Sequence, residues 1–139
     1  RIEIAAQALG IAQGAFDRAL AYTRERKQFG KKLAEFQATQ HKLADMATKI
    51  ETARLLVYKA AWSYDQGKID PMLTSMAKLY AGRAAVEVAD EAIQLFGGYG
   101  YMLEYEVERF YRDAKIMEIY EGTKEIQKNT IAGVLLGKL

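Results

Sequence analysis

The spacing of apolar residues constrains this chain more than any other feature. From position 2 they fall at Ile2, Ala5, Leu9, Ala12, Phe16 and Ala19, alternately three and four apart. That interval places them on one face of a helix. The seam returns at Leu43, Met46, Ile50, Ala53, Val57, Ala60 and Tyr64, and Gly67 stops it. Asp70-Pro71 restarts a helix, because aspartate caps free backbone N–H groups and proline suits the first helical position. With one proline and eleven glycines in 139 residues, long stretches contain neither breaker.

The third segment is apolar on two faces. Met72, Met76, Leu79, Val86, Ala89, Ile93 and Phe96 form one stripe, and Leu73, Ala77, Tyr80, Ala84 and Val88 form another. Such a helix is buried centrally or packs against a second subunit. "GGYG" at 97–100 ends it. A brief helix follows, then an apolar stretch at 114–119, the interruption "EGT", and a last helix. No segment alternates with period two, so no sheet is expected. The prediction is a single all-α domain over 1–139, an antiparallel four-helix bundle. Its helices span 2–27, 37–66, 71–96, 105–113 and 124–136. The connection at 29–36 is longer than a simple hairpin needs.

Composition removes several functions. The net charge of +2 is too balanced for a nucleic-acid or anionic-membrane binder. With no cysteine, disulfides, thiolate metal sites and thiol nucleophiles are excluded. The one histidine, His41, supplies no Glu-x-x-His pair for a di-iron bundle and no set of zinc ligands. Its position near a helix start suits a surface or cap residue. Neither serine, Ser63 or Ser75, lies in a strand–turn–helix elbow that would serve a triad. No apolar run approaches the ~18 residues of a membrane span. The first residue is Arg1, and the chain reads as a piece of something longer.

Three stretches remain, each with two readings. "RERKQFGKKL" at 24–33 either pairs cations with a helix C-terminus or binds an anion, with Arg26 on a pyrophosphate and Phe29 over a ring. "GGYG" is either a helix cap or a close approach of backbone to a ligand. Its place after a helix, not a strand, rules out a Rossmann fingerprint. In "IYEGT", Thr123 and Gly122 suit a helix start, while Glu121 could act as a general base if its surroundings are dry.

Taken together, "ERKQFG", "QLFGGYGY", "RDAKIMEIYEGT" and "EIQ" resemble, in this order and spacing, the C-terminal domain of the acyl-CoA dehydrogenase family. Each motif alone is weak; four in register are specific. The resemblance covers essentially the whole chain and is strongest to the bacterial short-chain, butyryl-CoA type, with the medium-chain type close behind. It implies an all-helical bundle, FAD as cofactor, a homotetramer built as a dimer of dimers, and α,β-dehydrogenation of a fatty acyl-CoA. It further implies transfer of electrons to an electron-transfer flavoprotein. The implied location is the cytoplasm of a bacterium, or the mitochondrial matrix in a eukaryote.

By this resemblance Glu121 matches the catalytic base. Thr123 and Glu125 match positions lining the FAD diphosphate and ribose. Arg26, Gln28 and Phe29 match the segment that reaches the FAD of a neighbouring subunit, joined there by Gln94 and Gly98. Arg1 matches an arginine that contacts CoA, and Tyr120 and Gly122 match residues around the thioester. As the first residue, Arg1 is expected to fray. Glu106 stands where the family usually has proline, which should loosen the start of the 105–113 helix. Lys124 replaces a small residue and would face FAD phosphates or solvent. The family's N-terminal helical and middle β-domains are absent from this chain, so the chain alone should bind FAD weakly and be inactive. Rival readings are an acyl-CoA oxidase-like domain and a non-catalytic helical oligomerisation bundle.

Overall fold

The computed structural model describes residues 1–138. Three long helices, α1 (Ile2–Glu25), α2 (Gln37–Asp65) and α3 (Pro71–Phe96), precede two short ones, α4 (Val107–Ile116) and α5 (Lys124–Leu136). The predicted all-α bundle is therefore present.

Contacts along the helices fix their directions. Arg1 bonds Ser75 near the start of α3, and Tyr22 stacks on Phe96 at its end, so α1 and α3 run the same way. Lys42 pairs with Glu91 and Lys49 with Glu87, so α2 runs against α3. Phe110 of α4 lies against Gly14, Met117 lies against Gly82, and Thr130 of α5 reaches Arg1. Thus α4 and α5 both descend along α3. They act as one fourth helix broken in the middle, and the break is residues 117–123.

The seams on α1 and α2 face the core as their spacing predicts, and much of the core is alanine. Ala5, Ala8, Ala12, Ala15 and Ala19 on α1 are buried, as are Ala77, Ala81, Ala85, Ala89 and Ala92 on α3. Small side chains let these helix axes approach closely. Packing of α3 against all four other helices buries Leu73, Ala77, Ala84, Val86, Val88, Ala89 and Phe96 of the two stripes, while Met72, Met76, Leu79 and Tyr80 stay half-buried, the last three lining an open cavity with Leu56. Asp70 caps α3 as expected, its carboxylate accepting from Leu73 N–H at 2.9 Å.

Three expectations change. First, α1 ends at Glu25, and 27–32 form a small antiparallel hairpin, β1 (Lys27–Gln28) with β2 (Lys31–Lys32). Phe29 and Gly30 turn it with φ of 54° and 80°. Positive φ at both positions is the turn that matches strand twist. Strands of two residues carry no periodicity to read. Second, α4 starts at 107 and runs to 116. Glu106 precedes it at φ 57°, a conformation that a proline ring excludes. Third, Arg1 does not fray: its guanidinium donates to Ser75 Oγ at 2.9 Å.

Candidate functional site

The break in the fourth helix holds "IYEGT". Two turns of α3 hold the segment against the core. At Gly82 the segment lies so close that an added Cβ would be 3.1 Å from Met117 O. One turn earlier, Lys78 donates to the carbonyl of Gly122 at 2.6 Å. From α5, Gln127 Nε2 donates to the same carbonyl at 2.9 Å and to Glu121 O at 3.3 Å. Lys78 and Gln127 are fully buried. Burial, with Arg1 nearby, pushes the Lys78 ammonium below its ordinary pKa, and Glu118 and Glu121 pull the other way.

Glu121 itself has φ 55° and Gly122 φ 100°. A left-handed glutamate is uncommon and persists only where its surroundings over-determine it. Its side chain is exposed. Next to it, Tyr120 donates its hydroxyl to Gln7 at 2.6 Å. Thr123 caps α5, its hydroxyl accepting from Ile126 N–H at 3.4 Å. Glu125, exposed in the first turn, has its carboxyl held below the usual range by its own backbone N–H and the Thr123 hydroxyl. Arg1 reaches toward the same region through Ser75 and Thr130. The structure therefore brings Arg1, Tyr120, Glu121, Gly122 and Thr123 around the break, while Glu125 lines a cavity with Leu56, Met76 and Tyr80.

Beneath the loop, Glu118 is a second buried charge, 2% exposed. Its carboxylate accepts from Lys115 at 2.6 Å, with Lys124 at 3.5 Å and Arg83 at 3.9 Å. Burial alone would raise its pKa, but Lys115 and Lys124 outweigh that and hold it low. Lys124 thus turns inward to Glu118, in neither of the two directions expected of it.

The other candidate residues gather elsewhere. Arg26, Gln28, Gln94 and Gly98 line one cleft of about 640 Å3 between the hairpin and the glycine turn, with Tyr22 and Tyr99. Arg26 lies over the Tyr99 ring at 5.2 Å. Tyr22 stacks on Phe96 at 4.0 Å between ring centres. Phe29 stands at the hairpin tip, 92% exposed. Gly97 turns the chain at φ 62°, and Gly100 is packed so tightly that a Cβ would lie 2.5 Å from Ile93 O. Gly98 faces open space. The cap reading of "GGYG" is therefore met, and the two stretches that sequence paired do form walls of one cleft.

The two groups are far apart. Lys78, beneath the loop, and Gln94, in the cleft, are separated by about 24 Å of helix at about 1.5 Å per residue. His41 is exposed and belongs to neither. Sequence reasoning missed Lys78, Gln127 and Glu118. The signal for Lys78 was one lysine inside a segment apolar on two faces.

The cleft offers a guanidinium at Arg26, amides at Gln28 and Gln94 and an open backbone at Gly98, a set that suits a phosphate-bearing ligand, with the exposed Phe29 ring at the adjoining hairpin tip. No helix among the described residues is long and apolar enough to cross a membrane.

Comparison with known proteins agrees. Residues 1–136 match the family described as acyl-CoA dehydrogenase, C-terminal domain. The chain is 56% identical over 136 residues to a cyclohexane-1-carbonyl-CoA dehydrogenase of Geobacter metallireducens, covering 98% of this chain and 36% of the relative. It is 51% identical over 138 residues to the CarC subunit of a caffeyl-CoA reductase-Etf complex of Acetobacterium woodii, covering 99% and 36%. Among solved structures, butyryl-CoA dehydrogenase of Megasphaera elsdenii superimposes with a TM-score of 0.97 at 52% identity, covering 98% of this chain and 36% of that one. The chain spans about a third of the length of these relatives. By sequence and by fold, this chain belongs to the acyl-CoA dehydrogenase family, as its C-terminal domain.

Proposed function

We propose that this domain carries the catalytic base of an FAD-dependent acyl-CoA dehydrogenase, and that Glu121 removes the α proton of a fatty acyl-CoA thioester. The observation that carries the reading is the left-handed Glu121, whose backbone is tied down from two helices while its carboxylate stays free. The α proton of a thioester is weakly acidic, so its base must be accurately placed. A carboxylate also gains basicity when water is removed from around it. Glu121 is exposed in this chain, so the excluding wall belongs to the parts of the protein beyond it. The α C–H bond breaks and its proton passes to the Glu121 carboxylate. Bound FAD supplies the acceptor for the β hydrogen, which leaves as hydride, and the α,β double bond remains in the product.

Arg1, Tyr120 and Gly122 would face the CoA part and the thioester. Thr123 and Glu125 would line one FAD diphosphate and ribose. The remote cleft of Arg26, Gln28, Phe29, Gln94 and Gly98 would meet the FAD of a neighbouring subunit, in a homotetramer arranged as a dimer of dimers. The distance between the two groups supports this division. An electron-transfer flavoprotein would complete the cycle, and one relative is a subunit of a caffeyl-CoA reductase-Etf complex. In a bacterium the enzyme would be cytoplasmic.

The test uses the full-length flavoprotein that carries this domain. Straight-chain acyl-CoAs from butyryl upward are added anaerobically and the flavin absorbance is followed, with wild type beside Glu121→Gln. Bleaching in wild type that slows by about 10³-fold or more in the variant is the expected result. Equal bleaching in both would place the base elsewhere and leave "IYEGT" as a helix cap.

A further inference from the structure

The reading of Glu121 leaves a question about its backbone. A non-glycine residue at φ 55° is uncommon and must be held by something. The holding groups are visible. Lys78 and Gln127 come from different helices, and both bond the Gly122 carbonyl, while Gln127 also bonds that of Glu121. An ordinary loop leaves such carbonyls to water. Here a buried ammonium is spent on a neutral carbonyl, although burying a charge is costly. Gly122 also packs closely on Gln127, where an added Cβ would lie 2.5 Å from Nε2.

The rest of α3 shows what plain anchoring looks like. Four residues on from Lys78, Gly82 brings Met117 close through a missing side chain and no polar group. Lys78 and Gln127 instead bond two backbone carbonyls, those of Glu121 and Gly122.

We propose that Lys78 and Gln127 are positioning residues: together they clamp the carbonyls of Glu121 and Gly122 and so aim the Glu121 carboxylate at the substrate. The proposal rests on Glu121 being the base. Neither residue touches the reacting atoms. Lys78 acts from below the loop through α3, and Gln127 acts from the far side of the break through α5.

The test again uses the full-length flavoprotein. Lys78→Met keeps the aliphatic stem and removes the ammonium; Gln127→Met removes the amide. Each leaves the Gly122 carbonyl with one donor, and if Lys78→Met does not assemble, Gln127→Met decides. Amide hydrogen exchange in the peptide covering 117–124 should accelerate by about tenfold or more, as loss of a charged or buried hydrogen bond predicts. Peptides of α1 and α2 should not change. Anaerobic flavin bleaching should slow by about 10²-fold, the cost of an ångström-scale misplacement, with the acyl-CoA concentration for half-maximal rate unmoved. Unchanged exchange at 117–124, or wild-type bleaching despite faster exchange, overturns the clamp. If bleaching survives Glu121→Gln, the base assignment fails by itself, and the exchange measurement still judges whether the two side chains fix the loop.

Discussion

The two ends of α3 solve opposite problems. Near its start, the loop at 117–123 is finished from within the chain: two buried side chains bond its carbonyls, and a glycine of α3 receives its backbone. Near its end, the hairpin and glycine turn are left open. Phe29 stands in solvent, Gln94 and Gly98 are exposed, and Arg26 has an aromatic ring for a neighbour and, among the described residues, no carboxylate within pairing distance. The first region is rigid because its contacts are internal. The second has the look of a half-surface, with side chains whose partners would come from another molecule. On the proposed reading, the group to be aimed is set by the fold and the groups that would receive a large ligand are left accessible.

The sharpest way to break this contrast is to add one methyl group at each end. Gly122→Ala meets Gln127 at 2.5 Å and forces alanine to φ 100°, so it should destabilise the chain by roughly 2–4 kcal/mol in urea unfolding. Gly98→Ala has nothing within 4 Å and should stay within about 0.5 kcal/mol. Equal costs at the two sites would end the comparison.

A smaller effect is expected from Arg26→Ala. In the full-length protein it should weaken FAD retention by about tenfold or more, measured by flavin release on dilution, since a charge-assisted contact to phosphate is lost. The same change should leave the folding of the 139-residue chain nearly untouched. That chain alone should take up FAD weakly; tight, stoichiometric uptake would show the open cleft to be complete after all.

Smaller still is Glu118→Gln. The cations around it are partly exposed and can turn to water, so the loss should be about 1–2 kcal/mol. The same carboxylate gives a pH signature. Its folded pKa lies below the ordinary 4.5, so its contribution is present above that value and disappears as pH falls through the lower folded one. Acid unfolding of Glu118→Gln should therefore be shallower than that of the parent below about pH 4.5. Identical acid limbs would mean the ion cluster contributes nothing.

The legible parts of this molecule were those with a period or a breaker. Ala5 to Ala19, Met46 to Ala60, Asp70-Pro71 and Gly97 announced three helices and both limits of the third. The candidate residues were legible only as a set, through motifs in register, since Glu121 and Thr123 alone describe an ordinary helix cap. The hairpin at 27–32 was not legible, because its turn depends on a phenylalanine in a backbone conformation usually left to glycine or asparagine. The limits of α4 were not either, because Glu106 takes a left-handed conformation that its side chain does not announce. Lys78, Glu118 and Gln127 escaped for a different reason. Polar residues on helices read as solvent-facing until their partners are known, and each partner lies far along the chain or on a backbone carbonyl.

The broken fourth helix also sets what this stretch can tolerate in length. Surface loops usually absorb insertions and deletions freely. Residues 117–123 cannot, because α5 resumes on the track that α4 left. One residue gained or lost would turn α5 by about 100° and shift it by about 1.5 Å. Gln127, the buried residue of α5, would then face away from Gly122. The segment is drawn as a loop, yet it keeps count as strictly as a helix.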